Sequence, residues 1–315
     1  MTQVAPPDTI RPGTERPFTL ATASELGLTR RQVYGPLYRT VMTGVFIHRS
    51  IPDSLVVRSR AALLVTPPGG VLSHFTAACL WSASAPRSAR IHLSYAVKGS
   101  QIMRREVQAH RFTYPMERRT RHGLPVTSPG MTFMHLAVHL DLVALTAFGD
   151  QLVKRKVITP YELRAYATDW GHHGRLAGIE AAALVRDRVE SVPESHLRLL
   201  LVLAGLPEPH VNHSVRDAEG EELRRLDLAY PEVMVAVEYV GRWHDAPEQR
   251  VKDDERRAWL RSQGWEIVVV RAEGLYETPD LTLQDIREVL VRRGVSVPEV
   301  VAEDYRRFFG RLTIA

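Results

Sequence analysis

Between residues 191 and 275 the spacing of apolar residues switches from a helical period to an alternating one and back. In SVPESHLRLLLVLAG, Leu197, Leu200, Leu201 and Ala204 recur on one helix face, and Gly205 ends the run. HVNHSVRD, LRRLDLAY and VMVAVEYV then read as three strands, with AEGE as the first turn and Pro231 and Glu232 as a tight second connection. A charged helix follows, APEQRVKDDERRAWLRSQ, stopped by Gly264, and WEIVVVR is a fourth strand. The helical crossover permits this strand to pair parallel with the third. The predicted order is helix, three-strand meander, helix, strand.

Upstream, FTLATASELGLTRRQVYGPLYRTVMTGVFIHRS reads as helix, tight turn, helix and β hairpin, with Gly27 ending the first helix and Thr29 capping the second. Arg30, Arg31 and Gln32 fall in the first turn of that second helix, where a recognition helix places its groove-reading side chains. VMTGVFIHR supplies a wing-like ribbon. A generic helical hairpin with solvated arginines has the same local pattern, so both readings stand here. From residue 53 to 185 the signals weaken: helices near 55–65 and at SHFTAACLWSAS, strands around IHLSYAV and VQAHRFT, and helices from Met131 onward. Phe133, Leu136, Ala137 and Leu140 have the spacing of a buried helix face. His135 and His139, at i and i+4, have no acidic residue between them and read as ordinary core or surface histidines, and His172 and His173 as loop residues.

The chain is long enough, at 315 residues, for two or three domains. The expected organisation is a disordered leader over 1–17, a winged helix-turn-helix over 18–52, a mixed middle region over 53–185, an α/β domain over 186–293 and a tail over 294–315. The net charge of +5 is unevenly spread, since residues 87–122 hold nine Lys/Arg against Glu106 and Glu117. Such a stripe, with Arg104, Arg105, Arg118 and Arg119 at its centre, favours a phosphate backbone or is a solvated basic face. The single cysteine, Cys79, excludes an internal disulfide and a cysteine zinc site and agrees with a reducing compartment. With no apolar signal-peptide core near the N-terminus and no run approaching ~18 apolar residues, the expected location is cytoplasmic, without a membrane partner.

Glu238 stands inside the apolar run AVEYV. A charge in a buried strand costs several kcal/mol unless it is paired or bound to a cation. If Pro231 and Glu232 are the two loop residues of a hairpin, Tyr230 pairs with Val233 and Asp227 with Ala236. Glu238 is then a diagonal neighbour of Asp227 on the same face, at roughly 7–8 Å. Two partners for this pair stand side by side: a divalent ion with oxygen ligands, or Arg224 or Arg225 in a structural ion pair. Glu194 likewise fits a capping box with Ser191 or a third carboxylate of the same site.

The stretches ESHLRLLLVLAGLPEPHVN, LDLAYPEVMVAVEYVGRWHD and DDERRAWLRSQGWEIVVV, with the order of their elements, resemble the very-short-patch-repair-like endonuclease domains of the PD-(D/E)XK superfamily over residues 190–275. The resemblance implies a restriction-endonuclease-like α/β core and DNA phosphodiester hydrolysis. Magnesium, or manganese in its place, would be held by Glu194, Asp227 and Glu238. It gives proton transfer to His244 and supporting places to Trp243, Asp253 and Arg256. The chain departs from the family's acidic position before the glycine, where it has Val240 ahead of Gly241, and a valine neither binds metal nor orients water.

The N-terminal stretch together with GVF, SHFTAACLW and PVTSPGMTFMHLA resembles AbiEi-like antitoxins, whose winged helix binds operator DNA. The expected class is therefore a multidomain α+β and α/β protein with a winged helix, a mixed middle domain and an endonuclease-like core. It would act on DNA in repair or phage defence, with a toxin or repair protein as a further partner. The alternative is a non-enzymatic antitoxin-like regulator on a degenerate nuclease fold.

Overall fold

The computed structural model describes residues 10–96, 102–217, 219–241 and 247–310, without the side chains of 247–253, and among the described residues three sheets and twelve α-helices make a mixed α/β structure. Among the described residues no helix is long and apolar enough to cross a membrane. The chain divides between Leu136 and Ala137 into two units. That division falls inside the middle region expected over 53–185.

In the first unit the described part of the expected leader is packed. Thr14 is fully buried, and the Arg11 guanidinium donates to the carbonyls of Leu26 and Gly27 at 3.0 and 2.8 Å. Strand β1 (Phe18–Thr19), helices α1 (Leu20–Ala23) and α2 (Arg30–Val33), and strands β2 (Tyr38–Met42) and β3 (Val45–His48) follow, with the strands in the order β1-β3-β2. Phe18, Ala23, Leu28, Val33, Tyr38 and Phe46 close a small core, Phe18 meeting Tyr38 edge to face at 5.5 Å. Both helices are single turns, shorter than the sequence pattern suggests. Helix α1 stops at Ala23, and further turns carry the chain to Gly27, whose φ of +68° suits glycine.

Helix α3 (Leu55–Leu64), β4 (Val71–Leu72), α4 (His74–Trp81), β5 (Ile91–Tyr95), β6 (Val107–Arg111), β7 (Arg118–Arg121), β8 (Leu124–Thr127) and α5 (Pro129–Leu136) complete this unit. Its second sheet has the order β6-β5-β4-β8-β7. Arg111 and Arg118 therefore stand on opposite edge strands, so the basic residues of 87–122 do not form one continuous stripe. Arg104 and Glu106 are committed locally. They bond the carbonyl, amide and hydroxyl of Thr43 in the β2–β3 turn, at 2.8–3.0 Å.

The second unit contains α6 (Leu142–Lys154), α7 (Pro160–Asp169), α8 (Arg175–Leu184), α9 (Val192–Leu203), β9 (His210–Arg216), β10 (Glu222–Tyr230), β11 (Val235–Val240), α10 (Pro247–Ser262), β12 (Glu266–Arg271), α11 (Ala272–Tyr276) and α12 (Pro279–Arg292). The sheet order is β12-β11-β10-β9, antiparallel except for the parallel β11–β12 pair predicted from the crossover. Val235 and Val237 of β11 join a cluster with Leu197, Leu200 and Leu201 of α9 and Leu283, Ile286 and Leu290 of α12. Ala236, on the other face, packs with Leu260 and Trp265. The sheet is thus covered on both sides.

Two expectations about this unit are corrected. The described part of the tail expected over 294–315 packs on the core, with Tyr305 and Phe309 buried beside α9 and α12. The hairpin register is also different, because Tyr230 pairs with Val235 rather than Val233. Pro231–Val233 form a 3-10 turn and Met234 takes a left-handed φ of 54°, so the connection uses four residues instead of two.

Candidate functional site

The four-residue connection changes how the carboxylates meet. Leu228 lies opposite Val237, so the next step of the same register brings Asp227 to Glu238 directly, where the expected pairing made them diagonal neighbours. There the side chain, not the backbone, reaches across: Asp227 Oδ2 accepts from the Tyr239 amide at 3.0 Å. The sheet is irregular at this level. Leu226 and Leu228, two residues apart, pack into the clusters on opposite faces, and on the neighbouring strand the buried Asn212 has a φ of 46°. Positive φ in a buried non-glycine residue is costly and persists only where its surroundings enforce it.

Glu194 enters from the first turn of α9. Ser191 Oγ caps the helix by accepting from the Glu194 amide at 3.3 Å, but the Glu194 carboxylate does not return to Ser191 as a capping box requires. Its Oε2 accepts instead from the Glu190 amide at 3.0 Å and from Asn212 Nδ2 at 3.5 Å. The side chain reaches past its own cap to the sheet. Burial, followed by the negative charges of Glu194 and Glu238, pushes the Asp227 carboxyl up to about 7, against the pull of the Tyr239 amide and the Arg256 guanidinium.

Glu238 is 2% exposed and is held by a fork from α10, Arg256 Nη1 and Nη2 donating to Oε1 and Oε2 at 2.7 and 2.6 Å. Arg257 Nε stands 3.8 Å away. Neither strand arginine is the partner: Arg225 pairs with Glu190 and Glu222, and Arg224 lies over the Trp259 ring. A planar fork of this kind is the strongest ion-pair geometry a carboxylate finds in a protein. The carboxylates of Glu194, Asp227 and Glu238 are therefore electrostatic neighbours, with an arginine already compensating the most buried of them.

Trp243 and His244 lie outside the described residues, as does the side chain of Asp253. Val240 ends β11 beside Arg271 of β12. Of the residues expected to contact DNA, Arg30 and Arg31 are exposed on α2, Arg105 is exposed in the turn before β6, and Arg118 is exposed on β7. Arg119 pairs with Glu117 at 2.6 Å. Gln32 serves the cap: its Oε1 accepts from the amide and hydroxyl of Thr29 at 2.8 and 3.0 Å, which removes that oxygen from base reading. Arg104 is occupied by the Thr43 carbonyl.

The sequence pattern did not single out a second constellation, in the first unit. His74, His92 and His110 each bring a ring nitrogen to one place, the three lying within 4.8 Å of one another. Among the described residues this is the one set of three or more histidine, cysteine or acidic side chains so grouped. His135, one of the two histidines noted by their helical spacing, stacks on His74 with centroids 4.6 Å apart. His139 lies beyond the end of α5 and is exposed.

No family model matches the chain. Two uncharacterized proteins of Mycobacterium tuberculosis, from strains CDC 1551 / Oshkosh and ATCC 25618 / H37Rv, are each similar to it at 30% identity over 159 residues, 50% of this chain and 58% of theirs. The chain thus spans little more than half the length of these relatives.

Proposed function

We propose that the second unit is a magnesium-dependent DNA endonuclease with a restriction-endonuclease-like core, carried on a chain whose N-terminal residues bind duplex DNA as a winged helix. The feature that supports this most is the buried Asp227 beside Glu194 and Glu238, whose carboxyl is pushed up to about 7 by burial first and by those two negative charges second. Acidic groups from a helix and two adjacent strands that feel one another's charge favour a cation between them, although their oxygens do not all lie within 4.8 Å of one another as the histidine nitrogens do. The meander with its parallel fourth strand also fits the resemblance drawn from the sequence.

An oxygen-only donor set suits a hard divalent ion. Glu194 and Asp227 each use one carboxylate oxygen in the hydrogen bonds above, which leaves the other to ligate. Glu238 would join the ligands only with Arg256 displaced from it. Magnesium bound there supplies a polarised phosphate and an activated water. The chain's own part is positional. The Tyr239 and Glu190 amides and the Asn212 side chain fix Asp227 and Glu194, and an Arg256 released from Glu238 offers the same fork to a phosphate. His244 is proposed for proton transfer on its place in the sequence.

The purified full chain with Mg²⁺ or Mn²⁺ is expected to nick or cut DNA, and Asp227→Ala to abolish this while circular dichroism stays unchanged. The second reading, a non-enzymatic antitoxin-like regulator, draws on the Arg256–Glu238 fork and on Val240. It takes over if neither metal supports cleavage of duplex, single-stranded, mismatched or branched DNA.

The winged-helix reading draws on the capped α2, its exposed arginines and the β2–β3 ribbon. In the Arg30→Ala/Arg31→Ala double variant the slope of log affinity for duplex DNA against log salt should become shallower by about two, one phosphate contact per arginine. An unchanged slope and affinity would remove that helix from the DNA interface.

A further inference from the structure

We propose that His74, His92 and His110 form a binding site for a zinc-like divalent transition-metal ion, separate in kind from the carboxylate site of the second unit. The three residues come from separate elements, the start of α4 and the parallel strands β5 and β6. His110 lies in register with Ser94, and His92, two residues before Ser94, shares its face. That placement sets His92 Nδ1 3.0 Å from His110 Nε2. Two imidazole nitrogens on one tetrahedral zinc ion, at 2.0–2.1 Å each, lie about 3.3 Å apart, so the pair needs little adjustment to share an ion.

The third ligand is delivered by strained backbone. His74, at the first position of α4, has a φ of +48°, which is unfavourable for a residue with a Cβ. Strain of this kind collects where a side chain must be aimed. Hydroxyl groups orient two of the rings, as outer-shell partners do around metal-bound histidines. Ser88 Oγ is 3.0 Å from His92 Nε2, which leaves Nδ1 as the nitrogen His92 offers. Ser73 Oγ is 2.9 Å from His74 Nδ1 and is itself bonded by Ser94 Oγ at 2.6 Å.

Neutral imidazoles without a carboxylate select zinc, copper or nickel over magnesium or calcium. His74 and His92 are buried and His110 is half-buried, so an ion reaches the cluster from the His110 side, and water completes its shell. The competing description is a stack of core histidines, with His74 layered between His110 at 3.7 Å and His135 at 4.6 Å. Stacking and the hydrogen bond between His92 Nδ1 and His110 Nε2 account for the rings and that pair of nitrogens, but not for the strain at His74.

The test uses the whole 315-residue chain stripped of metal by chelation, in an Asp227→Asn background so that the carboxylate site does not contribute. Calorimetry with Zn²⁺ and the visible absorption of Co²⁺ should show one ion bound per chain in tetrahedral geometry, with no response to Mg²⁺. His92→Ala and His110→Gln should abolish binding, and Ser88→Ala, an exposed change that leaves the fold intact, should weaken it by about tenfold. The thermal midpoint should rise with Zn²⁺ in the parent and not in His110→Gln. Absence of stoichiometric Zn²⁺ or Co²⁺ binding, or binding unaltered in both Ser88→Ala and His110→Gln, overturns the site and leaves a stacked histidine core.

Discussion

Arg256→Ala should destabilise the second unit by about 3–5 kcal/mol in the presence of EDTA, because it strands a buried carboxylate without its partner. Glu238 is 2% exposed and both of its oxygens are satisfied by the Arg256 fork. The cost falls on the charge left behind. Arg256→Ala combined with Glu238→Gln should therefore recover a large part of the loss, since an amide is far cheaper to bury than an unpaired anion. If the carboxylates take a divalent ion, Mg²⁺ or Mn²⁺ should stabilise Arg256→Ala more than wild type, whose arginine must first be displaced. At a hundred times the dissociation constant the gain is about 2.7 kcal/mol. Urea denaturation with and without metal reads both quantities. Equal metal effects in the two proteins would mean that no ion enters at Glu238.

The second large effect concerns Asp227. Its carboxyl rises from 3.8 in the unfolded chain to about 7 in the fold, chiefly through burial. Below pH 4 both states carry the proton, and above pH 7 both have lost it. Between those limits the folded state holds a proton that the unfolded chain has released, so stability falls as pH rises through the window. The full penalty, reached above pH 7, approaches about 4 kcal/mol as an upper limit. Asp227→Asn removes the charge and keeps an oxygen to accept from the Tyr239 amide. It should match wild type near pH 4, exceed it in stability at pH 8, and lose Mg²⁺ and Mn²⁺ binding at the carboxylates. A stability difference that does not change between pH 4.5 and 8 would mean that Asp227 titrates as an ordinary carboxylate. Metal affinity in wild type should rise over the same window, because the ligand must be ionised.

Much of the second unit was legible because its signals are local. Gly205 and Gly264 mark helix ends, apolar runs of strand length mark β10 to β12, and a helical crossover implies a parallel pair. That Glu194, Asp227 and Glu238 are neighbours followed from the same order of elements. Their register did not, since it depends on a left-handed Met234 that nothing in PEVM announces. Arg224 and Arg225, close in sequence to Asp227, suggested themselves as partners, whereas Arg256 comes from a helix whose rotation about its axis is set by packing. The histidine trio was less visible still. Its members are each eighteen residues apart, farther than any of the elements that carry them extends, so the spacing acquires meaning only when β5 and β6 lie side by side.

The buried Arg198 limits how this protein can be divided. Its guanidinium, fully enclosed in α9, bonds Asp150 of α6, the Leu184 carbonyl at the end of α8, and Glu208. At the other end of the unit, Tyr305 and Phe309 fill the core beside the same helix, and the Ala302 amide donates to the Ala204 carbonyl. A fragment cut at residues 186 and 293 would leave Arg198 with no aspartate and the α9 surface without its cover. The smallest transferable cassette runs from Leu142 to Phe309, half again as long as the domain expected over 186–293. In a fusion or a graft, the helices that look like spacer must travel with the buried arginine they enclose.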